Sequence, residues 1–180
     1  MAFWSNPTSQ PKLSFRWFVS FGIGDAAVRT YTVRSFQRPS FTIASTEYMW
    51  LNDVQFRPGV LSWNPIEITL TDGEGRDENN ASNLYEMLRV SGYRTSNINQ
   101  PFSRIEKAKS AAALGGQIIF NQIDADGETL EEWTLVNPFL EAVNFGQGNY
   151  AAEEIITISL TVRYDYAEYL SRSRSPFSFV

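Results

Sequence analysis

An alternation of apolar and polar side chains dominates the C-terminal part of the chain. From residue 156 to residue 165, every second position is apolar. The positions between them carry mostly small hydroxyl groups: Thr157, Ser159, Thr161, Arg163 and Asp165. A period of two places successive side chains on opposite faces of a strand. The pattern therefore predicts a long strand with one apolar face and one polar, hydroxyl-rich face.

The same alternation predicts further strands along the chain. They span residues 13–21, 30–36, 64–71, 117–123 and 129–136, with a short edge-like strand at 40–45. In the 64–71 segment Glu67, Thr69 and Thr71 alternate with apolar residues. We expect residues 30–36 to pair with 13–21 as a hairpin, and a tight turn at 124–127 to join the next two strands. Residues 138–148 are predicted to be irregular.

Two segments have the composition of helices. The main helix is predicted at about 82–92, with Asn80 or Ser82 as its cap, an apolar stripe of Leu84, Tyr85 and Leu88, and Gly92 at its end. A second, short helix is predicted at about 103–113, with Ser103 as its cap. The fold class is therefore mainly β (α+β): an antiparallel sandwich or small barrel with a helix at one edge. One domain is expected over 1–180, with an N-terminal arm at 1–12 and a C-terminal tail at 167–180.

The segment from 47 to 56 does not fit a half-buried strand, because it is apolar on both faces. Tyr48, Trp50, Val54 and Phe56 are assigned to one face, and Met49 and Leu51 to the other. Asn52–Asp53 is a candidate hairpin turn, and residues 57–59 (Arg-Pro-Gly) are expected to end the segment. Two interpretations remain open: a core strand buried on both sides, or a hairpin that inserts into another subunit.

Charge and composition narrow the function. The chain has 15 Lys and Arg against 20 Asp and Glu, a net charge of −5, and neither His nor Cys. An acidic protein repels phosphate, which argues against tight binding of nucleic acid. Without His and Cys, the Ser-His-Asp, Cys-His and His-metal arrangements are excluded. We expect no cofactor, no metal and no enzymatic activity. The N-terminus lacks the features of a signal peptide and no window is long enough to span a bilayer, so no membrane anchoring is expected.

Three short motifs imitate functional sites. Residues 22–27 match G-x-G-x-x-A, but the β-branched residues after them predict a turn where the dinucleotide fingerprint needs a helix. Residues 124–128 open like a calcium loop, yet the Gly follows the second Asp directly, which predicts a tight turn. The pairs Glu131–Glu132 and Glu153–Glu154 lie on predicted strands, so neighbouring carboxylates point to opposite faces.

The order of these elements resembles the tail tube protein of contractile-tailed bacteriophages, a family related to the tubes of type VI secretion systems and R-type bacteriocins. The resemblance covers about residues 13–168. It depends on the run W-N-P-I-E-I-T-L at 63–70 before the acidic loop and helix, on W-T-L-V-N at 133–137, and on the closing strand at 154–166, which ends in an aromatic–acidic pair.

The resemblance implies a structural virion protein that assembles in the host cytoplasm. Hexameric rings of the protein would stack into the inner tail tube, whose continuous β-barrel conducts DNA during injection. Its partners would be copies of itself, the tail sheath protein, the baseplate and tail terminator proteins, and DNA that passes without specific binding. The lumen candidates are Glu67, Thr69, Thr71, Thr157, Ser159, Thr161 and Arg163. The candidates for contacts between rings are Tyr48, Met49, Trp50, Leu51, Val54 and Phe56.

Two other classes of function stay open. One is a structural relative, either a tube-initiating baseplate protein or the tube subunit of a secretion or bacteriocin machine. The other is a carboxylate-dependent enzyme or a ligand-binding β domain. Self-stacking into long tubes separates the first class from the tail tube, and a monomer with a concave pocket would indicate the second.

Overall fold

Strands form most of the protein's ordered structure. The computed structural model describes residues 12–22, 27–75, 78–95, 104–149 and 154–171. Before the helices come β1 (Trp17–Ser20), β2 (Val33–Phe36), β3 (Phe41–Trp50), β4 (Asp53–Trp63) and β5 (Ile66–Thr71). The helices are α1 (Asn80–Val90) and α2 (Lys107–Ala113). After them come β6 (Gln117–Ile123), β7 (Thr129–Val136), β8 (Phe139–Asn144), β9 (Thr157–Arg163) and β10 (Tyr166–Ser171).

Eight of these strands form two four-stranded antiparallel sheets that share one core. The strand orders are β1-β6-β7-β10 and β2-β5-β9-β8. The core takes Phe120 and Leu135 from the first sheet, Leu70 and Leu160 from the second, and Leu84 from α1, all nearly inaccessible to solvent. Because both sheets turn an apolar face toward this core, the fold is a sandwich. The predicted mainly β class is confirmed, and the described strands do not close into a barrel.

The strongest alternations predicted their strands correctly. In β5 and β9, the apolar positions are buried and the hydroxyl positions are exposed or half-buried. β6 and β7 have the predicted bounds. Gly127 adopts a φ of 83° in the turn between them, a conformation that favours glycine.

Two predictions about the sheets were wrong. Residues 30–32 form a 3-10 turn, and β2 pairs with β5 in the second sheet instead of with the strand at 13–21. Residues 139–144, predicted to be irregular, form β8 and pair with β9. An alternation identifies a strand but not its partner, and the register shift between Leu140 and Ala142 interrupts the period of β8.

α1 lies within two residues of its predicted bounds, whereas α2 begins at Lys107, four residues after its predicted start. The side chain of Asn79 caps α1 by accepting a hydrogen bond from the Ser82 amide at 2.8 Å, so neither Asn80 nor Ser82 is the cap. Leu84 and Met87 are the buried apolar residues, whereas Tyr85 is exposed, because the core-facing side of α1 is rotated from the predicted stripe. The predicted cap of the second helix, residue 103, lies outside the described residues.

The two ends of the chain are only partly described. The arm predicted at 1–12 lies outside the described residues except for Lys12, and so do residues 172–180 of the predicted tail. The first residues of that tail belong to β10, which pairs with β7. Neither helix of the described part has the length and apolar character that crossing a membrane requires.

Candidate assembly surfaces

The predicted lumen residues lie together on the outer face of the second sheet. β5 and β9 pair so that Glu67 lies opposite Thr161, Thr69 opposite Ser159, and Thr71 opposite Thr157. Their apolar neighbours in both strands point inward to the core. The two separate alternations therefore build one continuous face in which small hydroxyl groups are directly opposed across neighbouring strands.

Arg163, the one cation among these residues, is paired on the same face. Its guanidinium binds the Glu141 carboxylate of β8, with Nε 3.1 Å and Nη2 3.0 Å from Oε1. Asn144, also on β8, lies opposite Ser159 and extends the polar surface. Sequence analysis missed both residues because β8 was predicted as an irregular loop. Since Arg163 is neutralised locally, Glu67 supplies the remaining charge of this group.

The predicted contact residues lie on a hairpin that projects from the sandwich. β3 and β4 pair only with each other, among the described strands. All their residues are exposed except the half-buried Trp63, and Leu51 at the tip is 88% exposed. The alternative of a core strand buried on both faces does not fit this structure. The predicted end at residues 57–59 was wrong, because β4 continues to Trp63.

The register of the hairpin corrects the predicted faces. Trp50 pairs with Asp53, Met49 with Val54, and Glu47 with Phe56. Val54 and Phe56 therefore share a face with Met49, and not with Tyr48 and Trp50. The prediction treated residues 48–56 as one continuous strand. The two-residue turn instead reverses the chain, so over residues 47–56 odd-numbered residues of β3 share a face with even-numbered residues of β4. Both faces remain apolar near the tip.

The turn of the hairpin is Leu51–Asn52, one residue earlier than predicted. Leu51 adopts a φ of 55°. This is the left-handed region, which a residue with a Cβ occupies at a cost of roughly 1–2 kcal/mol. Leu51 therefore combines a bulky apolar side chain, an exposed position at the tip and an uncommon backbone conformation. Strained residues of this kind concentrate at functional sites.

A buried carboxylate ties the root of the hairpin to the opposite sheet. Glu131 of β7 is 3% exposed. It forms ion pairs with Lys12 and with Arg38, whose Nη2 lies 3.4 Å from Oε1, and it accepts a hydrogen bond from the Tyr169 hydroxyl at 3.3 Å. Arg38 also lies 4.7 Å from the centre of the Trp17 ring, a cation–π contact. Because Arg38 precedes β3, this cluster holds the place where the hairpin leaves the sandwich.

The adjacent Glu132 behaves as the strand geometry predicts. Glu131 points inward beside Gln122, whereas Glu132 lies opposite Asn121 and is half-buried on the other face. The two carboxylates therefore do not share a site. The other adjacent pair, at 153–154, is only partly within the described residues.

A second ion pair joins α2 to the short connection that follows β9. Lys107 Nζ lies 2.5 Å from Asp165 Oδ1, and the Asn137 side chain donates to Oδ2 at 3.0 Å. The Lys107 bond, followed by that from Asn137, lowers the pKa of Asp165 below its usual value. This pair fixes the short connection between β9 and β10.

The short motifs that imitate functional sites have structural roles where the structure describes them. Asp124 accepts hydrogen bonds from the amides of Asp126 and Glu128, both at 2.9 Å, and so closes the turn between β6 and β7. In the part of the chain that the structure describes, no three carboxylate side chains cluster as a metal site requires. Residues 23–26 of the glycine motif lie outside the described residues.

Comparison with known proteins gives structural but not sequence relatives. No protein-family model and no curated protein matches the chain. A chain in the cryo-EM structure of the anti-feeding prophage tube-terminating cap aligns with a TM-score of 0.66 at 18% identity, over 95% of this chain and 99% of that one. A chain in the sheath-tube complex of the extracellular contractile injection system PVC gives 0.64 at 17%, over 95% and 99%. Hcp1 of E. coli EAEC 042 gives 0.50 at 10%, over 88% and 93%.

These identities are low, so the likeness shows the fold. The chain has the fold found in components of contractile injection systems, and the resemblance predicted from the sequence is confirmed at that level. Similar TM-scores come from cap, terminator, baseplate and sheath-tube structures. The same fold therefore occurs in several kinds of component, and the likeness does not distinguish them.

Proposed function

We propose that this protein is the tube subunit of a contractile tail, in which hexameric rings stack into a hollow inner tube. The observation that carries the proposal is the projecting hairpin β3–β4. A two-stranded ribbon with apolar residues on both faces is a liability on a monomer, because two strands alone are marginally stable in water and expose surface that aggregates. Burial of this ribbon between copies removes that liability.

The hydroxyl face suits the wall of a conduit. A ladder of Thr and Ser side chains supplies short, uncharged hydrogen-bonding groups and no row of cations that would bind phosphate. With Arg163 held by Glu141, the face has little to retain a passing polyanion. We propose that this face lines the lumen and that DNA moves along it during injection without specific binding. The assembled particle would then be a phage virion with a sheath around the tube.

A second candidate is a component that ends or starts the tube, or the tube of a secretion or bacteriocin machine. The specific observation in its favour is that similar chains come from cap, terminator and baseplate assemblies as well as from a sheath-tube complex. An initiating or terminating component forms one ring and presents only one stacking surface, whereas a tube subunit continues to add rings.

Negative-stain electron microscopy of the purified protein over a range of concentrations tests the proposal. Hollow tubes whose length grows with concentration are expected for a tube subunit. Single rings that do not stack at any concentration would support the initiating or terminating role instead. Dispersed monomers at every concentration, also after addition of preformed tube ends, would contradict self-assembly and reopen the enzyme and ligand-binding hypotheses.

A further inference from the structure

We propose that the tip of the β3–β4 hairpin docks in a groove between the edges of β1 and β2 on a second copy of the chain. This inference depends on the proposed function, because it names the surface that receives the hairpin during assembly. The tip is defined as residues 47–54. The groove is lined by Phe15, Trp17, Val19, Val33, Arg34 and Phe36, among others.

The groove lies at the open side of the sandwich and has a mixed lining, in which Trp17, Val33 and Phe36 supply apolar surface and Arg34 and Ser35 supply polar groups. β1 is an edge of the first sheet and β2 an edge of the second, so both strands have unpaired backbone groups there. Trp17 and Phe36 pack edge to face at 5.4 Å, and Phe36 stacks on the buried Phe120 at 4.8 Å. Phe36 in the floor of the groove is therefore packed directly against the core.

The size of the groove matches the tip. Its volume is about 480 Å³. Since an apolar cavity of roughly 150 Å³ accommodates a benzene molecule, the groove has room for Leu51 together with a neighbouring side chain. Leu51 is the most exposed large apolar residue of the hairpin and the one with a strained backbone. Insertion of this residue would explain why a leucine occupies a position that favours glycine.

The charges are complementary. Asp53 lies at the tip, on the same face as Trp50, and Arg34 lies in the groove. Within the described residues, neither side chain has an ion-pair partner in the protomer. Docking of the tip would bring the Asp53 carboxylate of one copy to the Arg34 guanidinium of the next.

The tip cannot fill the groove of its own chain. Arg38, which also lines the groove, lies just before the hairpin root at Phe41. At roughly 3.3 Å per residue, a straight ribbon of this length carries its tip about 30 Å from the root. The groove that receives it therefore belongs to another copy. Because tip and groove are different surfaces, each docked copy offers a free tip or groove to the next one, as an extending assembly requires.

Disulfide trapping tests the contact directly, since the chain contains no cysteine. Leu51→Cys and Ser35→Cys, the latter in the groove, are purified separately, mixed and oxidised under assembly conditions. The matched control uses Ser20→Cys in place of Ser35→Cys, because it places a thiol at an exposed position of β1 outside the groove. We expect a mixed disulfide with Ser35→Cys at least tenfold more abundant than with Ser20→Cys.

The competing occupants give different results. If another part of the same chain fills the groove, the Ser35→Cys thiol will resist alkylation even in dilute protomers. If the tip of a second copy fills it, the thiol will stay reactive until the copies assemble. If tips pair with one another, Leu51→Cys will form disulfides with itself in preference to Ser35→Cys. A protected thiol in dilute protomers, or pairing of tips, would overturn the proposal. Tubes that form normally without the mixed disulfide would also overturn it while leaving the proposed function intact.

A charge-reversal cycle provides an independent check. Arg34→Glu and Asp53→Arg should each raise the protein concentration needed for assembly by about twofold to fivefold, as expected for an exposed ion pair. The double variant should recover most of that loss if the two side chains meet. Effects of the single variants that simply add in the double variant would contradict the pairing.

Discussion

Replacement of Trp50 by Asp is the most direct test of the hairpin as an assembly surface. Trp50 is 60% exposed in the protomer. An aromatic side chain of its size buries roughly 150–250 Å², so about 90–150 Å² remains to be buried on assembly, which corresponds to about 2–4 kcal/mol per contact at about 25 cal/mol per Å². Loss of that burial should weaken each contact by about 30-fold or more.

The folded protomer should tolerate the change. Trp50 lies outside the core cluster, and exposed substitutions usually shift stability by about 0.5 kcal/mol or less. One local cost is expected, because the new carboxylate would face Asp53 across the hairpin. Trp50→Ala separates this repulsion from the loss of apolar area, and Tyr85→Asp on α1 controls for the loss of an exposed aromatic elsewhere.

The assay is sedimentation of assembled protein over a concentration series, with thermal unfolding by circular dichroism of the same samples. We expect an unchanged melting temperature within a few degrees and a strongly raised concentration for assembly. Tubes of normal length at the concentration that suffices for the parent protein would refute the reasoning. A collapse of the melting temperature would show that Trp50 supports the fold of the protomer instead.

Further predictions concern the charged and buried groups of the sandwich. Glu131→Gln should destabilise the protein by about 1–3 kcal/mol in urea unfolding, because it removes the buried negative charge that pairs with Lys12 and Arg38. Glu132→Gln should change stability by less than about 0.5 kcal/mol. The pKa of Asp165 is lowered in the folded state, so its ionised carboxylate stabilises the fold above about pH 4, and this stabilisation is lost as the pH falls through the folded pKa. Lys107→Met removes the main cause of the shift and should flatten the acid side of a plot of melting temperature against pH. Burial raises the pKa of Tyr164 to about 12, so the folded state disfavours its phenolate and stability should fall as the pH rises past about 10; Tyr164→Phe should remove that part of the decline, and an unchanged alkaline melting curve would contradict it.

The two strands that carry the hydroxyl face, β5 and β9, could be predicted from the sequence because their signal is local. Ile66, Ile68 and Leu70 alternate with polar residues, and burial on one face then specifies the whole strand. The pairing of β5 with β9 was not predictable from either pattern alone. Their joint face emerged only from the antiparallel register that places Glu67 opposite Thr161.

Other parts of the molecule depend on contacts that a sequence pattern does not encode. Asn79 was not identified as a cap because Asn80 and Ser82 are equally good capping residues beside it. The sequence around Glu131 is that of an exposed strand carboxylate. Its burial depends on Lys12 and Arg38, which the fold brings beside it. β8 was missed because its register shift breaks the alternation.

The isolation of the hairpin has a consequence for the timing of assembly. In the proposed assembly, the apolar faces of β3 and β4 would be covered only on docking, because the two strands have no other strand partners in the described structure. The first two copies would then meet the entropic cost of association with few contacts to offset it. Later copies would join an assembly that offers more contacts. We therefore expect a lag before growth and rapid elongation afterwards, so that newly made protomers accumulate unpolymerised until a preformed end supplies the nucleus.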